Sequence, residues 1–325
     1  MPIACIETGF GLIEVRGAEA ADFLHGQLSS DVRGLEPGRA QYSSYNSPKG
    51  RMLANLIVIR LPAAPGGDGY LLLLSGDLVE AIRRRLTMFV LRAKVTVRDA
   101  TGDHAICGLA GPGASAAAQA AFGVVPDRFE ALPVGRDALL LAIPDGRLLA
   151  LCPLAEGPVL QATILGHATA ADAQAWRSHD IRAGVPWITA ATSDHFVPQA
   201  TNWELLGGVN FQKGCYPGQE IVARTQYLGR LKERLFAFRA ALPDVAPGSK
   251  LYSAAFGDQA CGVVISATPE PAGGCVLLAV AQFAAVDAAD IHLDDAARTS
   301  LTLQPLPYAL PAAGAPRGAP AAGSA

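Results

Sequence analysis

Short strand-like runs alternate with amphipathic helices over the first half of this chain, and this alternation limits the possible folds more than any other sequence feature. Residues 40–46 and 51–60 are predicted strands, joined by a tight turn at residues 47–50. Residues 78–91 then form a predicted helix, in which apolar side chains recur at helical intervals, and the alanine-rich residues 114–122 predict a further helix. Because alternating strands and helices pack as layers, the sequence predicts an α+β fold built from ferredoxin-like units.

The pattern changes near residue 233, and this change divides the chain into predicted domains. Residues 1–232 carry the α/β pattern and are predicted to form two ferredoxin-like subdomains. Residues 233–310 contain short strands separated by glycine, proline and aspartate, which is typical of a small C-terminal β-barrel. Residues 311–325 are almost entirely Ala, Pro, Gly and Ser and cannot bury a core, so we expect a disordered tail.

Charge and residue spacing exclude several classes of protein. The formal net charge is −3, whereas a dedicated nucleic-acid binder carries a basic excess, so direct nucleic-acid binding is not expected. The cysteines include no CxxC pair and the histidines no HxxxH pattern, so no resident metal site is expected. The sequence shows no recognisable targeting signal and no apolar run of about 20 residues, so we expect a cytoplasmic protein without a membrane partner.

Residues 213–220 concentrate chemically active side chains in the sequence Lys-Gly-Cys-Tyr-Pro-Gly-Gln-Glu. Cys215 precedes a predicted helix, and the unpaired backbone N–H groups of a helix start favour a thiolate. Lys213 would add positive charge at the same place. A lone cysteine is more often a buried core residue, but the concentration of such side chains here favours a functional thiol. His195 is a candidate neighbour of that thiol, although loop polarity explains its position equally well.

Several segments resemble motifs of the folate-binding YgfZ family, which shares the fold of aminomethyltransferase, the T-protein of the glycine cleavage system. Residues 213–220 resemble the K-G-C-Y-x-G-Q-E signature of that family. The other segments that resemble family motifs are residues 23–32, 47–52, 181–186, 196–202 and 304–308. The resemblance therefore covers nearly the whole chain except the tail, and it implies an aminomethyltransferase-like folate-binding region over residues 1–232.

The resemblance also implies a channel that binds tetrahydrofolate or a derivative. Trp176 matches a family tryptophan of that pocket, although the sequence alone would favour plain core packing for it. Phe10 aligns with a second family tryptophan and keeps an aromatic face without the indole N–H. The folate-binding residues that the resemblance implies are Phe10, Asn55, Trp176, Gln199, Asn202, Tyr216, Gln219 and Glu220.

Asn55 marks a departure from true aminomethyltransferase, because that enzyme carries an acidic residue on the corresponding strand. Glycine-cleavage chemistry is therefore not expected. The resemblance implies an accessory factor for the assembly or repair of iron–sulfur proteins, which supports tRNA thiolation and uses the Cys215 thiol. The implied partners are folate and iron–sulfur client enzymes such as a tRNA-thiolating enzyme. The Cys215 thiolate would either hold iron or sulfur transiently or exchange with a thiol of a partner.

Two other functions stay open at this stage. The chain could be a folate-dependent one-carbon transferase in which Cys215 is the nucleophile. It could also be a folate-binding scaffold in which Cys215 is inert. That hypothesis differs from the others in predicting that Cys215 resists alkylating reagents at neutral pH.

Overall fold

The computed structural model describes residues 1–5, 8–62, 69–135, 137–229, 231–294 and 296–311. Its strands are β1 (Ile3–Cys5), β2 (Phe10–Arg16), β3 (Ala40–Asn46), β4 (Met52–Arg60), β5 (Gly69–Ser75), β6 (Thr96–Asp99), β7 (His104–Ala110), β8 (Ala131–Val134), β9 (Ala138–Ala142), β10 (Leu148–Pro153), β11 (Thr169–Ala171), β12 (Glu233–Ala240), β13 (Lys250–Tyr252), β14 (Gly262–Pro269), β15 (Cys275–Gln282), β16 (His292–Leu293) and β17 (Leu301–Gln304). Its helices are α1 (Ala20–Gln27), α2 (Val79–Met88), α3 (Ala114–Phe122), α4 (Gly157–Leu165), α5 (Ala173–Arg182), α6 (Gln219–Tyr227) and α7 (Phe283–Ala288).

The first sheet has the strand order β3-β4-β5-β2-β6, and all of its neighbouring strands are antiparallel. The apolar residues 56–59 of β4 are fully buried, as expected for an inner strand that is covered on both faces. Residues 47–50 form the predicted tight turn between β3 and β4, in which the N–H of Gly50 donates to the carbonyl of Ser47 at 2.9 Å. Gly50 has a φ of +71°, which explains the glycine at that position.

The second sheet has the order β11-β1-β7-β10-β9-β8 and encloses its own apolar cluster against α3 and α4. Strand β1 pairs in parallel with β11 and antiparallel with β7. The first strand of the chain therefore joins the second sheet, while the next strand, β2, lies in the first sheet. This exchange ties together the two sheets of the predicted folate-binding region.

The last sheet is formed by β16-β13-β14-β15-β12-β17, and His292 of β16 forms a bridge with Ser300, the residue just before β17. The sheet consequently curls back on itself as a small barrel around an apolar core. The α+β class with a C-terminal barrel is thus confirmed. Most of the predicted tail, from residue 312 onward, lies outside the described residues. Across the described ranges, no helix is both long enough and apolar enough to cross a membrane.

The predicted and observed elements differ mainly in short segments. Strand β3 and helix α3 have the predicted bounds, whereas α2 ends at Met88, three residues earlier than predicted. Leu91 beyond it has a φ of +44°, which a continuing helix cannot contain. No element was predicted for α4 or for the three-residue strands β1 and β11. Three residues are too few to show the alternation that identifies a strand.

Candidate functional site

The segment 213–220, which we call the signature loop, is fixed to the β3–β4 turn by two glycines. Gly218 has a φ of +76°, and a Cβ added to it would lie 2.4 Å from the carbonyl oxygen of Ser47. A Cβ added to Gly50 would lie 2.8 Å from the Cβ of Ile221. Only glycine fits at either position, so two sequence segments about 170 residues apart meet backbone to backbone.

Lys213 anchors the start of the signature loop to the end of α1. Its ammonium donates to the carbonyl oxygen of His25 and, at 2.5 Å, to that of Leu28. The ammonium also lies 4.8 Å from the ring centroid of Tyr216. Burial lowers the pKa of Lys213 to about 8. The observed role of this side chain is to cap the carbonyls of α1, and its predicted catalytic role stays a prediction.

Cys215 carries the accessible thiol of the chain. Of the six cysteines it alone is exposed, and the other five are buried. Burial raises the pKa of the Cys5 and Cys107 thiols to about 11, so those thiols stay protonated and unreactive. Cys215 lies four residues before Gln219, the first residue of α6. The predicted arrangement of an accessible thiol just ahead of a helix is therefore observed.

The residues after Cys215 form the turn before α6 and the first turn of that helix. Tyr216 is buried, burial raises the pKa of its hydroxyl, and its carbonyl accepts from the N–H of Gln219 at 3.2 Å. The side-chain amide of Gln219 donates to the carbonyl of Lys213 at 3.4 Å. Glu220 is exposed in the first turn of α6, where a carboxylate suits the helix dipole. A folate contact for these three residues stays a prediction.

Asn55, Gln199 and Asn202 are all fully buried and bond the backbone. Asn55 donates to the carbonyl of Pro186 at 2.6 Å and accepts from the N–H of Ile188 at 2.8 Å. It thereby fixes the irregular segment that follows α5, residues 183–212, to strand β4. The structure uses the polar atoms of Asn55 inside the protein, and its predicted folate role is untested.

The amides of Gln199 and Asn202 tie the same irregular segment to later parts of the chain. Gln199 donates to the carbonyl of Val222 on α6 at 2.8 Å. Asn202 donates to the carbonyl of Leu235 at 3.0 Å and accepts from the Arg234 guanidinium at 2.6 Å. These bonds join the signature-loop helix and the C-terminal barrel through one segment, and folate contacts for both amides stay predictions.

All three tryptophans of the chain belong to one buried aromatic cluster with Phe10. The ring centroids of Phe10 and Trp187 are 4.6 Å apart, and those of Phe10 and Trp176 are 6.4 Å apart. Trp203 follows at 6.2 Å from Trp187. The structure brings together Phe10 and Trp176, both predicted as site residues, and adds Trp187 and Trp203, for which the sequence predicts no role. The scarcity of tryptophan in the sequence was the available signal.

The ring of Trp176 is closely surrounded, while its indole N–H has no hydrogen-bond partner among the described residues. The Arg147 guanidinium lies 4.5 Å from the Trp176 ring centroid. A Cβ added to Gly108 would lie 2.4 Å from two carbons of the six-membered ring, so glycine is required there. Arg147 and Gly108 therefore pack against the Trp176 ring, while the described residues leave its indole N–H without a hydrogen bond.

A buried ion pair, which the sequence reasoning missed, lies beside Trp176. Arg147 and Asp180 are 2.8 Å apart, and their side chains are 4% and 6% exposed. Burial raises the pKa of Asp180, and the guanidinium of Arg147 opposes that rise. Arg147 lies just before β10 and Asp180 lies on α5, about 30 residues apart, so no local sequence pattern could have paired them.

His195, the candidate neighbour of Cys215, packs its ring 5.9 Å from the ring of Phe196. Its carbonyl accepts from Arg51 at 3.1 Å, next to the β3–β4 turn. No hydrogen bond or ion pair between His195 and Cys215 is found in the part of the chain that the structure describes. The histidine that contacts the signature loop is His25, whose Nε2 would lie 3.6 Å from a Cβ on Gly214.

Comparison with known proteins gives consistent similarities. Residues 7–136 match the family model described as the GCVT N-terminal domain. The chain is 33% identical over 301 residues to the tRNA-modifying protein YgfZ of Edwardsiella ictaluri (strain 93-146), covering 91% of this chain and 89% of that protein. It is 31% identical over 305 residues to the protein of the same name in Sodalis glossinidius (strain morsitans), covering 93% and 91%.

Among solved structures, the chain is similar to the glycine cleavage system aminomethyltransferase T from Bartonella henselae. The TM-score is 0.75 at 18% sequence identity, and the match covers 94% of this chain and 86% of that one. A similarity at this level of identity establishes the fold, and the predicted aminomethyltransferase-like architecture is confirmed.

Proposed function

The chain belongs to the YgfZ family, and from that premise we propose that it is a folate-binding accessory factor for the assembly or repair of iron–sulfur proteins. In this role it supports tRNA modification, specifically thiolation, through the thiol of Cys215. The relatives reported above carry the name tRNA-modifying protein, which supports the coarser part of this proposal. We place the activity in the cytoplasm, with iron–sulfur client enzymes as partners.

The observation that carries the proposal is the isolation of one exposed thiol on a fixed loop. Cys215 is exposed while Lys213 and Tyr216 on either side of it are buried. The loop therefore presents sulfur to a partner without moving its own anchors. A single thiolate supplies only one ligand to iron, whereas iron–sulfur clusters are held by several, so a client protein or small thiol must complete the coordination.

The aromatic cluster supports the folate part of the proposal. A pterin is a flat heteroaromatic ring, and the cluster places aromatic rings beside the unpartnered indole N–H of Trp176. Because Arg147 and Gly108 already contact the Trp176 ring, we propose that folate meets this tryptophan at its N–H edge. Tetrahydrofolate bound there would supply one-carbon carrier chemistry, and the protein's part is to bind and orient it.

The arrangement around Asn55 argues against the transferase alternative. In aminomethyltransferase, an acidic residue on the corresponding strand acts on folate. Here a neutral amide stands there, fully buried, with both of its polar atoms bonded to the backbone of residues 186 and 188. An amide so occupied can neither accept nor deliver a proton in the manner of a carboxylate.

Complementation in cells tests the role of the thiol. In a strain that lacks this protein, Cys215→Ala should restore no more thiolated tRNA than an empty vector, as measured by mass spectrometry of tRNA nucleosides. Gln212→Ala is the matched control, because Gln212 is exposed on the adjacent part of the chain and should restore thiolation fully. Normal thiolation with Cys215→Ala would overturn the proposal for the thiol.

Calorimetric titration with tetrahydrofolate tests the folate part separately. Cys215→Ala should bind tetrahydrofolate like the wild type. Trp176→Phe, which keeps an aromatic ring and removes the indole N–H, should bind about tenfold more weakly, as expected for the loss of a hydrogen bond worth about 1 to 1.5 kcal/mol. Wild-type protein that shows no heat of binding would overturn the folate assignment and leave the thiol assignment standing.

A further inference from the structure

Three surface clefts lie in a row along the seam between α5 and the C-terminal barrel. The first has a volume of about 470 Å³ and lies between α5 and the β14–β15 turn, residues 270–274. The second, of about 370 Å³, shares Arg182 with the first and lies beside strands β12 and β15. The third, of about 490 Å³, shares Arg239 with the second and reaches β17. We call the surface lined by the residues of these three clefts the seam groove. Each volume is typical of a ligand site, at about 300 to 1,000 Å³, and three clefts in a row suit an extended ligand.

Arg182 and Arg239 converge on one carboxylate at the centre of the seam groove. Nη2 of Arg182, on α5, lies 3.1 Å from Oε1 of Glu270, and Nε of Arg239, on β12, lies 3.0 Å from Oε2 of the same side chain. Glu270 is 16% exposed, whereas the two arginines are 62% and 47% exposed. Two guanidiniums share one carboxylate, so the centre of the groove keeps one excess positive charge that faces solvent.

Both guanidiniums keep N–H donors for a ligand. Arg182 also donates from Nε to Oγ of Ser178 at 3.3 Å, and Arg239 donates from Nη2 to the carbonyl of Gly273 at 3.2 Å. A guanidinium has more N–H groups than these contacts use, and it binds carboxylates through paired N–H groups. The Glu270 carboxylate therefore occupies the place that a carboxylate of a ligand would take.

The walls beside this charged centre are largely apolar. The apolar residues that line the middle cleft include Ile181, Ala237, Val276 and Pro305. The aromatic ring among its described lining residues, Phe238, is only 2% exposed, and Asp172 in the first cleft balances the excess charge over the whole groove. Single-stranded nucleic acids bind through a basic excess and through stacking on open aromatic rings. The seam groove is therefore better suited to a peptide with apolar side chains around a carboxylate.

We propose that the seam groove binds an extended peptide segment of a partner protein, in which a carboxylate side chain displaces Glu270 from Arg182 and Arg239. Alternate side chains of an extended chain point the same way. A segment with the pattern apolar-x-acidic-x-apolar consequently presents all three side chains to the groove. The lining residues belong to α5, the barrel and the adjoining loops rather than to the signature loop, so the inference does not depend on the function proposed for Cys215.

Selection from a phage library of short random peptides on the immobilised full-length protein tests the proposal. The enriched peptides should share an acidic residue with apolar residues two positions away on both sides. Fluorescein-labelled synthetic peptides of the enriched sequences then give dissociation constants by fluorescence anisotropy. Arg182→Gln and Arg239→Gln should each weaken binding about tenfold, as expected for the loss of a charge-assisted hydrogen bond.

Glu270→Gln should act in the opposite direction, because it removes the carboxylate that competes with the peptide. Binding should tighten by about three- to tenfold. Glu80→Gln and Arg83→Gln are the matched controls, because they change the net charge equally at an exposed ion pair on α2 and should bind the peptides like the wild type.

Circular dichroism checks that each variant is folded. Should Glu270→Gln fail to fold, the two arginine variants decide the matter, since both side chains are exposed. A library that yields no binding peptide would overturn the assignment, as would selected peptides that bind wild type and both arginine variants equally. A labelled single-stranded RNA that binds the wild type and is lost with both arginine variants, in place of any peptide, would also overturn it and assign the groove to nucleic acid.

Discussion

Gly218 of the signature loop and Gly50 of the β3–β4 turn lie against each other so closely that neither can carry a side chain. A Cβ on Gly218 would lie 2.6 Å from the Cα of Gly50, and both residues have a positive φ. The exposed thiol of Cys215 is therefore carried by a loop that is held by the first sheet. This contact explains why two segments far apart in sequence must each place glycine at one position.

Gly218→Ala should destabilise the protein through two separate effects. The positive φ costs an alanine about 1 to 2 kcal/mol, and the contact with the Ser47 carbonyl adds about 1 to 3 kcal/mol of overpacking. The free energy of unfolding in urea measures the sum. Gly9→Ala is the control, because Gly9 has a φ of +79° with nothing within 4 Å of an added Cβ. Equal losses in both variants would show that the contact contributes nothing.

Native protein should react with one equivalent of a maleimide reagent, and unfolded protein with six. Cys215 is exposed and the other five thiols are buried, which blocks reagent from reaching them in the folded state. Intact mass spectrometry counts the adducts before and after addition of guanidinium chloride. Cys215→Ser should take up none while folded. Rapid native labelling of a second thiol would mean that the buried strands open more readily than their packing indicates.

Arg234→Met should lower the free energy of unfolding by about 3 to 5 kcal/mol. The Arg234 guanidinium is fully buried, lies 2.5 Å from the Glu204 carboxylate and also bonds Asn202, so its removal leaves a charge buried without this partner. Urea unfolding gives the value. Arg239→Met on the same strand is the matched control. Arg239 is 47% exposed beside Glu270, and its loss should cost less than about 1 kcal/mol. Similar costs for the two variants would contradict the argument from burial.

Lys213 should make stability rise with pH between about 8 and 10.5. Burial lowers its pKa to about 8 in the folded protein, from 10.5 for the free side chain. Between these values the unfolded chain binds the extra proton, so raising the pH favours the folded state. The free energy of unfolding of wild type minus that of Lys213→Met should therefore increase by about 1 to 3 kcal/mol over this range.

Urea titrations at pH 7.5, 9 and 10.5 give this difference. Gln212→Met, which replaces an exposed side chain without a titratable group, should show a difference from wild type that does not change with pH. A constant difference for Lys213→Met as well would mean that the Lys213 ammonium stays fully solvated in the folded protein.

The sequence predicted most of the regular elements because their signals are local. Residues 40–46 and 114–122 form β3 and α3 with the predicted bounds, since seven or nine residues suffice to show the period of two or of 3.6. The three-residue strands β1 and β11 carried no such period. They form because the second sheet offers them hydrogen-bonding edges, which are supplied by residues elsewhere in the chain.

The sequence by itself determined which segment carries the chemistry. Lysine, glycine, cysteine and tyrosine stand next to one another in the chain, so their proximity requires no folding. Only the tertiary structure decided which residues contact the signature loop, because the hydrogen bond from Lys213 to the carbonyl of His25 spans 188 residues. The sequence offered His195, which is nearer along the chain, whereas packing of α1 on the signature loop brings His25 instead. A side chain's neighbours follow from how the sheets and helices pack, and that packing is decided by burial across the whole chain rather than by any local pattern.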